Sequence, residues 1–197
     1  MSAELPFAAR RVAILTGRAD PARTGLAPVQ AAFLAAVTPS DAEALDTGFP
    51  FLPQALPEGP VPLPLAAWRN ARQWRAARRG TIAHGDRIGA LLRASGRLAI
   101  VTASCGLDIL AACWPGPAPR TTLVLALGPV TRDRPHLPGA RVVTLVGRRD
   151  LISRAMHRAP TDHAPPCGHM GYWTCPETRT LVADLLAAHM GTGRRTA

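Results

Sequence analysis

Residues 98–106, with the sequence LAIVTASCG, decide the fold prediction. The apolar run 98–102 is short and rich in branched residues, which is typical of a buried β-strand. Ser104 follows almost at once, and residues 106–114 have helical spacing up to Pro115, a residue that cannot continue a helix. The stretch therefore predicts a strand, a sharp turn that carries a serine, and a helix.

The same alternation continues on both sides of this stretch. Buried strands are predicted at 12–16, 121–127 and 141–146, with a short irregular strand at 163–169. Helices are predicted at 27–37, 66–79, 82–94 and 177–190, and a capping box from Ser40 to Glu43 predicts a helical turn. This order indicates an α/β fold with a mostly parallel sheet of about five to six strands and helices on both faces.

The length of the chain favours one domain over residues 1–197. Six prolines between residues 49 and 65 argue against a regular helix or central strand, so this segment is predicted to be a connector or a lid-like loop. Trp68 and Trp74 follow it and could face the substrate or the core, of which the core is the expected position. Residues 191–197 are predicted to be a frayed tail.

Charge and composition restrict the partners. The net charge is +10, and every one of the 23 basic residues is arginine. A basic surface favours acidic partners such as a carrier protein or a CoA-type phosphate, and arginines 69, 72, 75 and 79 form a stripe at helical spacing. Nucleic acid is disfavoured, because there is no long arginine run and no zinc-finger spacing.

The compartment is predicted to be the cytoplasm. No apolar run approaches the roughly 18 residues that span a bilayer, and the N-terminal residues lack the pattern of a secretory signal. The four cysteines, at positions 105, 113, 167 and 175, are accordingly expected to be reduced.

Three short segments follow predicted strands and carry residues that could do chemistry. Residues 102–106 (TASCG) resemble the nucleophile elbow of the α/β-hydrolases, in which small residues flank a serine by two positions. Residues 147–150 (GRRD) resemble the acid turn of that family, and residues 167–173 (CGHMGYW) resemble its histidine loop. The chain order serine, aspartate, histidine is that of the family. The resemblance extends over residues 12–190 and is closest to a small serine hydrolase without a cap domain.

The resemblance implies a role for each residue. Ser104 is the expected nucleophile, His169 the base and Asp150 the group that orients the imidazole. The oxyanion hole is expected from the N–H of Cys105 and from the loop after the first strand, at Gly17 or Arg18. The implied substrate is an acyl ester or thioester, no cofactor is expected, and the rate should rise as the histidine loses its proton.

Other interpretations remain open at this stage. Ser104 and Asp150 are also good helix caps, and His169 could simply be a hydrogen-bonded loop residue. Cys105 could replace the serine as nucleophile, although Leu107 would then occupy a position that needs a small residue. A metal site among His157, His163, Cys167, His169 and Cys175 has no common zinc spacing. Thr102 stands where the elbow usually has glycine, and Thr16-Gly17 replaces a usual His-Gly, so a catalytically degenerate binding or scaffold protein is the second hypothesis.

Overall fold

A computed structural model describes residues 5–18, 23–52, 61–79, 84–118 and 121–191 of the chain. Five strands form one sheet. They are β1 (Ala8–Thr16), β2 (Glu43–Ala44), β3 (Ser95–Ala103), β4 (Thr122–Leu127) and β5 (Ala140–Leu145). The helices are α1 (Pro28–Val37), α2 (Leu63–Arg78), α3 (Gly85–Arg93), α4 (Gly106–Ala112), α5 (Leu151–Met156) and α6 (Pro176–Met190).

The sheet has the strand order β2-β1-β3-β4-β5, and every neighbouring pair is parallel. Thr16 at the end of β1 pairs with Ala103, and Ala103 pairs in turn with Leu127 at the end of β4. The loops that follow these strands therefore leave the sheet side by side at one edge. The predicted parallel α/β fold class is confirmed.

Side-chain alternation along the strands builds a separate core on each face of the sheet. Leu15, Ile100 and Ala126 face one cluster, which α3 and α4 complete with buried leucine and isoleucine side chains. Val101 and Leu125 face the other cluster, which α1 and α6 cover. Central strands of this kind are apolar on both faces, which explains the continuous hydrophobic runs in the sequence.

Two local predictions differ from the structure. The Ser40–Glu43 capping-box prediction is wrong, because Glu43 begins the edge strand β2 and its carboxylate accepts a 2.8 Å hydrogen bond from the buried Arg11. The segment 163–169 forms no continuous strand and makes a single parallel bridge, between His163 and Leu145. The prolines in that segment cannot donate ladder hydrogen bonds.

The proline-rich segment is described only at its ends, since residues 53–60 lie outside the described residues. Helix α2 begins inside the predicted connector, at Leu63, with Pro64 in its first turn. Proline is tolerated there because the first helical N–H groups have no partner within the helix. Trp74 packs partly against the core, whereas Trp68 is 56% exposed, which contradicts its predicted core position.

Gly191 ends α6 in the left-handed conformation. The rest of the predicted tail, residues 192–197, lies outside the described residues. Among the helices of the described ranges, none is both long and apolar enough to cross a membrane. All four cysteines are buried as free thiols.

Candidate active site

Ser104 lies in a strained turn between β3 and α4. Its φ is +53°, in the left-handed region that residues with a side chain rarely adopt. The Ser104 N–H donates to Leu127 O at 3.1 Å, and its carbonyl accepts a 3.3 Å bond from the Val130 N–H. The N-cap position of α4 is Cys105, and no side chain caps that helix. The serine therefore stands at a fixed turn without serving as a cap.

Gly106 allows this turn to form. A Cβ at this position would overlap the carbonyl oxygen of Leu15 in β1, so the start of α4 can approach the sheet only with glycine here. Thr102, on the other flank, is a buried β3 residue whose hydroxyl has no hydrogen-bond partner among the described residues. The elbow thus meets the small-residue requirement at one flank and accommodates threonine at the other.

The structure brings Ser104, His169 and Asp150 together. The Oγ of Ser104 is 3.3 Å from Nε2 of His169. The other ring nitrogen, Nδ1, is 3.0 Å from Asp150 Oδ2 and 3.1 Å from Oδ1. These distances place a hydroxyl, an imidazole and a carboxylate in hydrogen-bonding sequence, with the imidazole partly exposed and the carboxylate fully buried.

Asp150 is stabilised as a carboxylate. Burial opposes its ionisation, but hydrogen bonds from His169, the Ser153 N–H and hydroxyl, and Tyr172 outweigh burial and lower its pKa. The bond from the Ser153 N–H to Oδ1 is 2.9 Å long and caps helix α5. Asp150 therefore caps α5, as the helix-cap interpretation predicted, and it also contacts His169.

Tyr172 is a site residue that the sequence analysis did not single out. Its hydroxyl donates to Asp150 Oδ2 at 2.7 Å and accepts a 2.7 Å bond from the Gly147 N–H. Burial, with the nearby carboxylate, raises the pKa of Tyr172 far above its usual value, so the hydroxyl keeps its proton. The available signal was its place three residues after His169, as the single tyrosine of the chain.

The three predicted oxyanion donors have different surroundings. The Cys105 N–H makes no hydrogen bond to another residue within the described ranges. By contrast, the Arg18 N–H donates to Gln73 Oε1 at 2.9 Å, and the Gln73 amide donates back to the Arg18 carbonyl. Gly17 lies against the Cys105 sulfur, which a Cβ at this position would overlap. The expectation of a free backbone donor at Arg18 is therefore corrected, because the Gln73 side chain already accepts its N–H. Gly17 stays a predicted donor.

Asn70, in α2, lies beside the same loop. Its Oδ1 is buried without a donor, and no side-chain hydrogen bond of Asn70 is found in the described part of the chain. A Cβ on Gly17 would lie 2.9 Å from this oxygen and would also overlap the Cys105 sulfur. An uncommitted amide group therefore borders the residue that follows Ser104. Buried polar groups are usually paired, so this one requires an explanation.

The thiol of Cys105 is unsuited to nucleophilic attack. Its side chain is buried, and burial raises its pKa to about 12. The thiolate is the reactive form of cysteine, and it would be scarce here at neutral pH. Ser104 is therefore the better nucleophile candidate of the two.

The histidines and cysteines of the proposed metal cluster do not converge. Across the described ranges, no three His, Cys, Asp or Glu side chains are arranged to hold a metal ion. His157 is buried, with Nδ1 3.0 Å from the Thr131 carbonyl. Cys167 lies 3.8 Å from Thr178 Oγ1, and Cys175 donates to Glu177 at 3.2 Å. These side chains thus have partners inside the fold.

Comparison with known proteins gives similar solved structures only. One is a protein of unknown function, Atu2452 from Agrobacterium tumefaciens, at 20% identity over 94% of this chain and 93% of that one, with a TM-score of 0.47. A carboxylesterase from Mesorhizobium loti is 16% identical over 92% and 90%, with a TM-score of 0.45. An esterase from Pyrobaculum calidifontis is 11% identical over 95% and 78%, with a TM-score of 0.43.

Two of the three are esterases. No protein-family model and no curated protein sequence matches the chain.

Proposed function

We propose that this protein is a cofactor-free serine hydrolase that cleaves or transfers the acyl group of an ester or thioester. One observation carries the proposal: Ser104, held at φ +53° at the end of a central strand, lies 3.3 Å from the imidazole that Asp150 holds from the other side. A strained serine next to an oriented base is the arrangement that nucleophilic acyl transfer requires.

The reaction would proceed in two halves. Neutral His169 accepts the Ser104 proton on Nε2 while Oγ attacks the substrate carbonyl carbon. The tetrahedral intermediate collapses to an acyl-serine ester, and the leaving alcohol or thiol takes the proton from the imidazolium. Water or an acceptor alcohol then attacks the ester by the same sequence, and Ser104 regains its proton. Asp150 stays ionised throughout and stabilises the imidazolium.

The developing oxyanion needs donors beside Ser104. The uncommitted Cys105 N–H is the first, because it belongs to the residue after the nucleophile. We assign the second to the side-chain amide of Asn70, whose buried oxygen faces Gly17 without a donor. A half-turn of that amide exchanges its oxygen for Nδ2, a donor, on the same side. Donors of this kind contribute about 3 kcal/mol each to the transition state.

Apolar side chains beside the site favour an acyl substrate. Leu151 and Ile152 directly follow Asp150, and Met170 directly follows His169. Their exposures are 74%, 50% and 75%, in a chain whose other large apolar side chains are mostly buried. Exposed apolar residues grouped around reactive groups are typical of a binding surface for an apolar ligand part.

A fluorophosphonate probe tests the proposal directly. We expect stoichiometric labelling of the folded protein at Ser104, identified by peptide mass, and loss of labelling in Ser104→Ala. Cys105→Ala serves as the neighbouring control and should remain labelled. Ester hydrolysis should fall by about 10⁴-fold or more in Ser104→Ala. Folded protein that neither reacts with the probe nor hydrolyses esters would refute the proposal.

The occupied amide of Arg18 favours one alternative, a catalytically degenerate member of the same fold that acts as a binding or scaffold protein. That alternative predicts a folded chain in which Ser104 is inert to the probe. The labelling experiment therefore separates the two candidates without knowledge of the natural substrate.

A further inference from the structure

A cavity of about 220 Å³ lies next to the proposed site and has no part in the acyl-transfer steps described above. Its apolar wall is formed mainly by Trp74, Val130 and Met156. Three arginines, Arg78, Arg132 and Arg158, line the rest, and no acidic residue contributes to the lining. A small apolar recess that carries three positive charges is a recognisable binding environment.

In the described part of the chain, none of the three guanidinium groups forms an ion pair with a carboxylate. The backbone N–H of Arg158 donates to the Arg132 carbonyl at 2.8 Å, which holds these two residues side by side, and the Arg78 guanidinium lies 5.1 Å from the centre of the Trp74 ring. Three like charges around one recess repel each other, and a bound anion would remove that repulsion.

The guanidinium groups can only donate hydrogen bonds, so a ligand that they select must be an acceptor. Carboxylate and phosphate oxygens are acceptors that also pair with guanidinium groups, frequently in bidentate fashion.

Backbone contacts and shared helices connect the lining of the cavity to residues of the proposed site. The N–H of Val130, a wall residue, donates to the carbonyl of Ser104. Met156 ends α5, the helix that Asp150 caps at its other end. Trp74 lies one helical turn after Asn70 in α2. The recess therefore adjoins the backbone of the Ser104 turn and the far end of the helix that Asp150 caps.

We infer that this cavity binds an anionic group of the substrate, a carboxylate or a phosphate, which the guanidinium groups of Arg78, Arg132 and Arg158 recognise beyond a short apolar portion. This inference rests on the proposed function, because it names the class of ester or thioester that the same site accepts. The anion can belong to the acyl group or to the leaving group, and the two sources are chemically distinguishable.

Two matched substrate pairs test the inference. On the acyl side, the 4-nitrophenyl monoester of glutarate is compared with the 4-nitrophenyl ester of pentanoate, which replaces the terminal carboxylate by a methyl group. On the leaving-group side, S-acetyl-4′-phosphopantetheine is compared with S-acetyl-pantetheine. We expect the charged member of one pair to have a kcat/KM about tenfold or more above its neutral partner, the ratio expected for a charge-assisted hydrogen bond. Rates in Ser104→Ala give the background for each substrate.

The variant Arg132→Gln/Arg158→Gln should abolish that preference by lowering kcat/KM for the charged partner to about the value for the neutral one. Arg179→Gln is the control, because it removes one positive charge from an exposed position on α6, which covers the other face of the sheet. Loss of the preference in the control as well would mean that overall charge, and not the cavity, attracts the anion. That result would overturn the inference.

Calorimetric titration separates this inference from the proposed function. Ser104→Ala protein is titrated with glutarate and with inorganic phosphate, so no turnover is needed. Binding of at least one anion that the double arginine variant lacks supports the cavity even if Ser104 proves inert. Absence of binding and of any charge preference, in protein that still hydrolyses neutral esters at Ser104, overturns the cavity proposal and leaves the hydrolase standing.

Discussion

Tyr172 donates a 2.7 Å hydrogen bond to the Oδ2 atom of Asp150, the carboxylate oxygen that also lies 3.0 Å from the imidazole of His169. The same hydroxyl accepts from the Gly147 N–H and so ties the acid turn to the histidine loop. Tyr172 touches no atom of the proposed reaction, so it is a positioning residue. It fixes the carboxylate and reduces its basicity.

Tyr172→Phe should lower kcat by about tenfold and destabilise the fold by about 1–3 kcal/mol, because it leaves the buried Gly147 N–H without an acceptor and removes one hydrogen bond from the Asp150 carboxylate. The pH at which activity rises should also move upward, since a more basic carboxylate stabilises the imidazolium. A pH–rate profile and urea unfolding of both proteins check these outcomes. A destabilised variant with an unchanged profile would show that the tyrosine is structural only.

Much of the site could be predicted because it depends on chain direction. Apolar strands that alternate with helices force a parallel sheet, and the carboxyl ends of parallel strands share one edge. Ser104 and Asp150 follow two such ends directly. Their proximity to His169 therefore follows from strand order, although the distances had to come from the structure.

Other parts had no local signal in the sequence. The two-residue strand β2 is too short to show any periodicity, and the Ser40–Glu43 pattern suggested a helix instead. Gln73, which accepts from the Arg18 N–H, and Asn70, which lies beside Gly17, are side chains of α2, more than 50 residues further along the chain. Where a helix lies over a loop is decided by packing, so Asn70 and Gln73 could not be assigned to the site in advance.

Thr102→Val should stabilise the protein by about 1 kcal/mol, because the threonine hydroxyl is buried in β3 and has no partner. Valine has nearly the same shape, so the elbow geometry and the ester hydrolysis rate should be retained. Chemical denaturation of both proteins measures the difference. A less stable variant would mean that the hydroxyl has a partner that this structure lacks.

Asp150 should make the stability of the protein depend on pH in acid. Its pKa is lower in the folded chain than in the unfolded chain, so the unfolded state binds the proton first as pH falls. The stability that the ionised carboxylate contributes is fully present above the pKa of aspartate in the unfolded chain, about 4. It is lost progressively as the pH falls below that value. Asp150→Asn should therefore be less stable at pH 7 but lose less free energy of unfolding between pH 5 and 3.

The control for that experiment is Asp184→Asn, at an exposed position on α6. It should follow the wild-type curve across the acid range. If the free energy of unfolding fell equally steeply with pH in wild type and Asp150→Asn below pH 4, the hydrogen bonds to this carboxylate would not favour its ionised form.

Asn70 provides a test in which activity should fall without any loss of stability. Its buried Oδ1 has no donor, so Asn70→Leu should leave the free energy of unfolding unchanged or raise it. If the amide supplies the second oxyanion donor, the same substitution should lower kcat by about 10²-fold or more, with little change in KM.

Asn70→Asp sharpens this test, because it keeps the shape of the side chain and removes both amide donors. Asn70→Asp should lower kcat at least as much as Asn70→Leu does, since a carboxylate also repels the developing oxyanion. Arg75→Gln, at an exposed position of the same helix, is the matched control and should keep wild-type kcat. Wild-type kcat in Asn70→Asp would exclude the amide as a donor and leave the Cys105 N–H to stabilise the oxyanion without it.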